Sequence, residues 1–543
     1  MSRIATVKFE CFPKTSTLFL DYLYDFPKVK HFFPFAYSLE AFRKESLAPG
    51  GHDLPHRAGL CEILEDQNRT FGAGERTLEN IARLRDSDCY AVVTGQQVGL
   101  FTGPAFTIYK ALTAIKLATH YACRGVKAVP VFWMATEDHD LAEINHTSVL
   151  DSDSVLQAVR YETGEETQHR PAGKVTFDDS IVAVCHHFAE LLTDSEFRQE
   201  IAQRLEKAYQ PGKTFGRSFA ETLSYLFSNY GLILLDPLND QVKQLLRPLL
   251  LKVIEQEPSY FSLLETRNHQ LIDKGYHAQV ETDSGATPLF FEDSGRRRAL
   301  TWEDHHFRLK GSERSFGPAD LHASVSANPE LFSFNVLLRS VGQDFLLPTL
   351  AYVAGPSELA YLAQVSDFYA QLGVRMPIIF PRASISIVEK RISKVLDKYN
   401  LDFCELLRGP ESVMRDIVER QLDRSLADEF SQIERDFQSR LSELGPSLGK
   451  VDPTLVEALG TTQRKIQYHI DHLRTKLINA EAKRQETLAR QVEKTLAILQ
   501  PSKSLQEREI NIFYFLSRYG MDLLAQLYEE IDLSDPDHRL IYV

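Results

Sequence analysis

The sequence predicts an α/β protein: a parallel-sheet core with two insertions, followed by a long antiparallel helical coiled-coil arm. Three observations predict it. Short apolar runs, each ending in a glycine-bearing or polar loop, recur along the first 390 residues. The first two flank a stretch of helical period, which makes a strand–helix–strand unit. Beyond residue 390, apolar residues recur at three- and four-residue spacing along two long stretches.

Residues 1–90 open with an aromatic-rich segment, Phe9 to Phe35, and read as helical and irregular, with a helix near Arg76–Arg85. Ala91-Val92-Val93 is then a buried strand that stops at Thr94-Gly95. The loop after it holds Gly95, Gln96, Gln97, Gly99, Thr102 and Gly103, and its glycines allow close backbone approach to a ligand. Thr102 or Gly103 can cap a helix over Pro104–Cys123, with Pro104 at its first position. Ile108, Leu112, Ile115 and Ala118 or Thr119 share one face of it, and Gly125 breaks it. Val126–Trp133 is the second strand, and it runs out into Thr136-Glu137-Asp138-His139-Asp140. With the two strands parallel, both loops face one crevice, where open α/β sheets bind ligands. Backbone N–H groups ahead of the helix would then face an anion.

The first insertion, 151–225, carries strands at Val155–Thr163 and Lys174–Phe177 and helices near Ile181–Leu192, Ser195–Tyr209 and Phe215–Tyr230. Leu232–Leu235 returns to the sheet and ends at Asp236-Pro237. A second, β-rich insertion, 276–330, has strand candidates at His277–Thr282, Leu289–Glu292 and Arg298–Trp302. Phe345–Pro348 and Leu350–Val353 follow as strands, the latter ending at Gly355-Pro356-Ser357-Glu358, where Ser357 is a candidate cap. Pro377–Phe380 ends at Arg382. The core is therefore expected over 1–150, 226–275 and 331–390. The arm is expected over 391–503, with its turn at Gly445–Gly449 and a phase slip between Arg484 and Leu488. At 1.5 Å per residue its second helix is about 70 Å long, too long to bury its own seam without a partner. Residues 504–543 carry a helix, Ile510–Leu527, that returns to the core.

A chain of 543 residues needs more than one domain. Its balance of 61 basic against 75 acidic residues argues against a nucleic-acid partner. No apolar run reaches membrane-spanning length, and the amino terminus lacks a signal-peptide core. Six scattered cysteines show no disulfide framework, so reduced thiols and a cytoplasmic location are expected.

Five motifs carry a family resemblance: TGQQVGLFTGPAFTIYKALTAIKLA, VPVFWMATEDHDLAEINH, GLILLDP, LLPTLAYVAGPSELAYLAQ and MPIIFPRAS. With the helical hairpin and the Leu505–Arg508 segment, the chain resembles the cysteine-adding enzymes (cysteine ligases) of bacillithiol biosynthesis. The resemblance implies a Rossmann-like core with two connecting-peptide insertions and a coiled-coil arm used in homodimerisation. It implies a ligase that joins cysteine to the amine of glucosaminyl-malate. Related synthetase and nucleotidylyl-transferase cores carry a His-x-Gly-His motif, but Thr102-Gly103-Pro104-Ala105 stands there, and Lys-Met-Ser-Lys-Ser is absent. The energy donor is thus unknown; ATP or ADP is the candidate nucleotide.

Glu137, Asp138, His139 and Asp140 are the catalytic candidates, dense in groups able to take a proton from an attacking amine. The plainer alternative is a solvated capping turn. With His146 seven residues on, zinc is a rival ligand, but the spacing matches no standard pattern and no metal ligand is assigned. The substrate-binding candidates are Gly95, Gln96, Gln97, Gly99, Thr102, Gly103, Gly355, Ser357 and Glu358, with Arg339 and Arg382 for the malate carboxylates. Each arginine could instead pair with a structural carboxylate such as Asp344, and Lys110 could equally be a surface charge.

Overall fold

Five short apolar runs form one parallel sheet. The computed structural model describes residues 4–37, 39, 54–256, 259–281, 283–421, 424–484 and 486–543. Strands β1 (Tyr90–Gln96), β2 (Ala128–Met134), β3 (Ile233–Leu235), β4 (Thr349–Ala354) and β5 (Ile378–Pro381) lie in the order β5-β4-β1-β2-β3. All are parallel, with Val93 opposite Val131 on one side and Tyr352 on the other. Their residues are almost all buried, because a parallel sheet is covered on both faces and needs continuous apolar strands. The chain winds outward from β1 through β2 to β3, then restarts at β4 on the opposite side. That reversal opens a crevice at the carboxyl ends of β1 and β4.

Helix α1 (Phe106–Ala122) joins β1 to β2 and is buried on nearly every face. It starts two residues later than the expected Pro104, with no side-chain cap. Helices Arg57–Thr70 and Glu75–Leu84 precede β1. From the first, Asn68 meets both backbone groups of Leu234, and Gln67 both of Asp236, at 2.7–3.0 Å. Two side-chain amides thus satisfy the open edge of β3, which would otherwise leave polar backbone unpaired.

His146–Leu150, just ahead of the first insertion, pairs antiparallel with Leu156–Arg160 inside it, and helices Ser180–Leu191, Arg198–Ala208 and Phe215–Leu226 follow. The expected strand at Lys174–Phe177 is reduced to one isolated bridge, Thr176 to Thr214. The second insertion is an antiparallel sheet of Ser315–Phe316, His306–Leu309, Arg296–Glu303, Ala286–Asp293 and Phe332–Phe334, in that order. His277–Glu281 form no strand; there Val280 bonds through both backbone groups to Gln364, and Thr282 lies outside the described residues. Helix α2 (Asp240–Glu255) follows β3, and α4 (Pro356–Leu372) follows β4. The expected strand Phe345–Pro348 is instead the end of helix α3 (Val336–Leu346), which the Asn335 side chain caps.

The chain forms two compact units: residues up to 387 with 504–541, and 388–503 with 542–543. In the first, the return segment forms helices Ile512–Tyr519 and Asp522–Glu530, split at Gly520, whose φ is +71°. It then adds strand His538–Tyr542, which the sequence reading missed and which pairs with Ile4–Val7. The second unit holds the hairpin, Arg424–Val451 and Thr454–Arg484, continued by Glu486–Leu499. Its turn is at Asp452-Pro453, not Gly445–Gly449. Asp452 caps the second helix through Thr454, while Pro446 is held inside the first. Gln485, within the expected phase slip, lies outside the described residues.

Free thiols are found at Cys61, Cys89, Cys123 and Cys185. Cys11 and Cys404 depart from that expectation, being disulfide-bonded, which spacing in the sequence does not reveal.

Candidate active site at the carboxyl edge of the sheet

Gln96 and Gln97, at the end of β1, reach two charged clusters on either side of it. Gln96 accepts from Lys110 Nζ at 2.9 Å. Gln97 donates to Asp138 at 2.7 Å and to Glu143 at 2.6 Å.

On the β4 side, Lys110 also donates to Gly95 O at 2.9 Å and pairs with Glu358. Glu358 accepts from Gly355 N at 2.8 Å and from the Tyr352 hydroxyl at 2.7 Å. The first bond caps α4, the role expected of Ser357, which is exposed instead. Burial holds Lys110 below the usual lysine range, with Glu358 opposing it. For Glu358 burial works upward, but Lys110 and its other donors outweigh it and keep the carboxyl low. Arg339 donates to Tyr361 at 2.7 Å. Arg382 lies beside Gly355, 5.3 Å from the Phe106 ring centroid, and pairs with Glu507 at 2.6 Å. Asp344 is not its partner; that carboxyl bonds Tyr369 and Gln343, and burial pushes it up to about 6.

On the β2 side, Glu137 is buried against Lys243, which also donates to Phe332 O at 2.7 Å. Of the four expected catalytic residues, it is the one bound into the interior. Asp138 is half-buried and Asp140 exposed. His139 Nδ1 lies 3.0 Å from Arg297 Nη1, a group that can only donate. The His139 ring therefore accepts at Nδ1 and carries its proton on Nε2. Burial, then the charge of Arg297, hold its pKa below the ordinary value, so the ring is neutral. Arg297 is fixed in turn by Phe334 O at 2.7 Å, Ser333 Oγ at 2.9 Å and the face of Phe290, 3.7 Å away.

The glycine loop is not an open anion cradle. Gly99, Thr102 and Gly103 are buried, with φ of +73° at Thr102 and +69° at Gly103. Asn511 donates to Phe101 O and Gly103 O at 2.8 and 2.7 Å, and Ala105 N donates to Ile510 O at 2.9 Å. The chain itself thus fills the place read as a ligand site. A Cβ on Gly99 would come within 3.1 Å of Gly103, and one on Gly95 within 2.8 Å of Trp133 O. Close packing accounts for both glycines. Among the described residues, no three His, Cys, Asp or Glu side chains are grouped to hold a metal ion. Hollows of about 360 and 670 Å3 open elsewhere on this unit, lined by none of these residues.

Sequence reading missed Lys243, Arg297 and Glu507 and left Lys110 undecided. For Lys110 a signal existed: Tyr109, Ala111 and Leu112 beside it leave that helix no polar face. The other three arrive from separate elements; Glu507 lies in the Leu505–Arg508 segment that the family resemblance marks, while nothing local marks Lys243 or Arg297.

A parallel sheet in this order, with charged loops at its switch point and a separate helical hairpin, defines a Rossmann-like core with a coiled-coil appendage. Two family models match: "Bacillithiol biosynthesis BshC, N-terminal Rossmann-like domain" over residues 5–383, and "Bacillithiol biosynthesis BshC, C-terminal coiled-coil domain" over 385–543. The chain belongs to the BshC family of bacillithiol biosynthesis. Its relatives include proteins named "Putative cysteine ligase BshC" from three bacteria. That of Salinibacter ruber is 37% identical, over 97% of this chain and 96% of the relative. That of Koribacter versatilis is 35% identical over 98% of each, and that of Solibacter usitatus 34% over 98% of each.

Proposed function

We propose that this chain is a ligase that joins the carboxyl group of cysteine to the amine of glucosaminyl-malate, forming the amide bond of bacillithiol. The observation that carries the reading is family membership along the whole chain, with relatives named as cysteine ligases. The geometry supports it with acidic and basic groups on either side of the end of β1.

Amide formation needs a neutral amine attacking an activated carboxyl carbon. As the C–N bond forms, the nitrogen must lose a proton and the carboxyl its leaving group. Asp138 is the base in this reading: it is half-buried, and Gln97 and the His139 backbone N–H orient its carboxylate. His139 is a hydrogen-bond donor through Nε2, aimed by Arg297, rather than a proton acceptor. Asp140 serves the substrate amine from the exposed rim, and Glu137 acts through structure, holding Lys243. Arg382 and Arg339, on the opposite side of β1, bind the malate carboxylates, with Gly355 leaving room for them. Activation of the carboxyl group requires an energy donor. The phosphates of ATP or ADP do not fit the glycine loop, whose Gly99, Thr102 and Gly103 are buried and whose Ala105 N–H is taken. No step is routed through a nucleotide there.

We also propose a homodimer formed through the arm. Within one chain Ile433, Phe437, Leu444 and Leu473, apolar residues of the two hairpin helices, remain 45–59% exposed. A cytoplasmic site of action belongs to the same reading. Among the described residues, no helix is long and apolar enough to cross a membrane.

The test is purified protein with glucosaminyl-malate, cysteine and a series of acyl activators, with bacillithiol read by mass. Product is expected, and Asp138→Asn should lower kcat by about 10²–10⁴-fold. Intact substrates with every activator would overturn the reading.

A further inference from the structure

Helices Arg198–Ala208 and Phe215–Leu226 of the first insertion, with the residues that end helix Arg57–Thr70, wall a hollow of about 360 Å3. Sites for small molecules span about 300–1,000 Å3. This one is lined by none of the candidate active-site residues. Leu205, Ala208 and Phe513 give it a buried apolar lining, in which charges act more strongly than in water.

Its charge is unusual for this chain. Arg204, Lys207, Lys213 and Arg217 line the hollow against one lining carboxylate among the described residues, Glu221. The chain as a whole is acidic, with a net charge of −14, so this local excess of cations is not background. Glu221 cannot satisfy them all. It accepts from Lys213 Nζ at 2.7 Å on one oxygen and from Arg217 Nε at 2.6 Å on the other. The two Nη groups of Arg217 then make no hydrogen bond among the described residues, and its guanidinium rests 5.7 Å from the Phe71 ring centroid. Arg204 lies over the Tyr225 ring at 4.6 Å, while the Tyr225 hydroxyl donates to Glu200 at 3.0 Å. Stacking fixes the plane of a guanidinium and leaves its N–H edge for an acceptor. The Lys207 side chain is exposed and meets no acceptor among the described residues; its carbonyl alone is used, by Lys213 Nζ at 2.6 Å.

A second observation points the same way. Ser224 lines the hollow, is 8% exposed, and its Oγ has no hydrogen-bond partner among the described residues. Thr222 on the same helix bonds back to Ser218 O at 2.7 Å, the usual solution for a helical hydroxyl. Ser224 does not, and buried polar groups without partners are uncommon. Holding two helices together needs one cation per carboxylate, and Lys213 with Glu221 already supplies that. Two guanidinium forks and a free ammonium suit a dianionic phosphate, which offers three acceptor oxygens. The hollow is larger than a phosphate group, and its apolar lining suits an organic group attached to it.

We propose that this hollow binds a phosphate monoester of a small organic molecule, with Arg204, Lys207 and Arg217 on the phosphate and Glu221 as the positioning residue that fixes Arg217. The site does not depend on the ligase reading, and its test needs no turnover.

The experiment uses the full chain and calorimetry with glucose 6-phosphate, AMP, inorganic phosphate and L-malate as separate probes. At least one ester should bind more tightly than inorganic phosphate and L-malate, and the better ester tells a sugar from a nucleoside as the organic group. Losing a charge-assisted hydrogen bond predicts affinity for that ester weaker by about tenfold in Lys207→Ala and in Arg217→Gln. Lys207→Ala changes an exposed side chain without a partner, so it decides the matter where Arg217→Gln does not fold. Hydrogen exchange of the wild type with the bound ester should slow over residues 204–225 and stay unchanged over 136–140. Neither ester binding, inorganic phosphate or L-malate binding as tightly as the better ester, unchanged affinity in Lys207→Ala, or protection confined to 136–140 would each overturn the proposal.

Discussion

A methyl group added at Gly95 would sit 2.8 Å from the carbonyl of Trp133, so that position answers to the neighbouring strand before any ligand. Identity at a single residue often has such a plain cause here. Lys110 is a lysine in a helix with no wet face, tolerable only because Glu358, Gln96 and Gly95 O accept its hydrogen bonds. His538 is the sharpest case. Both ring nitrogens meet serines, Ser384 at 2.7 Å and Ser386 at 3.0 Å, and burial lowers its pKa from 6.5 to about 4. Glu507 opposes that shift and Arg382 adds to it. A depressed folded value means that the neutral ring is the stabilising form. Its contribution is complete above the unfolded value of 6.5 and is lost as pH falls through about 4. Denaturant melts between pH 7 and 4 should therefore show an acid loss of order 3 kcal/mol from this group. His538→Gln should begin less stable at pH 7 and fall less steeply. Parallel curves for the two proteins would contradict this.

Elements made of local pattern were legible in the sequence, and elements made by distant partners were not. Strands β1, β2 and β4 are continuous apolar runs, and the helices of the first insertion follow their periodicity. The hairpin was visible, but its turn was misplaced: a glycine and a proline were read as a break, while Asp452-Pro453 closes the turn. Strand His538–Tyr542 went unseen because what defines it is Ile4–Val7, at the other end of the numbering. The same holds at the candidate site. The Glu137–Asp140 loop could be read from its own residues, whereas Lys243 and Arg297, which hold it, could not, and Glu507 was marked only by resemblance, with no sign that it would meet Arg382. The arm makes its own prediction. With apolar residues of its helices left half exposed, Ile433→Glu with Phe437→Glu should halve the mass found by sedimentation while leaving helical circular dichroism in place. An unchanged mass would remove the arm as the dimer contact.

For the whole molecule, the segment 506–511 makes residues of the candidate site wait for one another. Phe101 O and Gly103 O receive their donor from Asn511, and Arg382 receives its carboxylate from Glu507. On a ribosome adding about 5–20 residues per second, some 400 residues separate the glycine loop from the asparagine that satisfies it, a delay of about 20–80 s. During that interval the loop's carbonyls lack Asn511 and the Arg382 guanidinium lacks Glu507. Nascent chains stalled before residue 504 should therefore be cut by protease near Gly99–Gly103, and chains stalled well past 511 should resist. Translation speed and chaperone supply, rather than the chemistry of any one side chain, would then set how much active protein a cell obtains from each message.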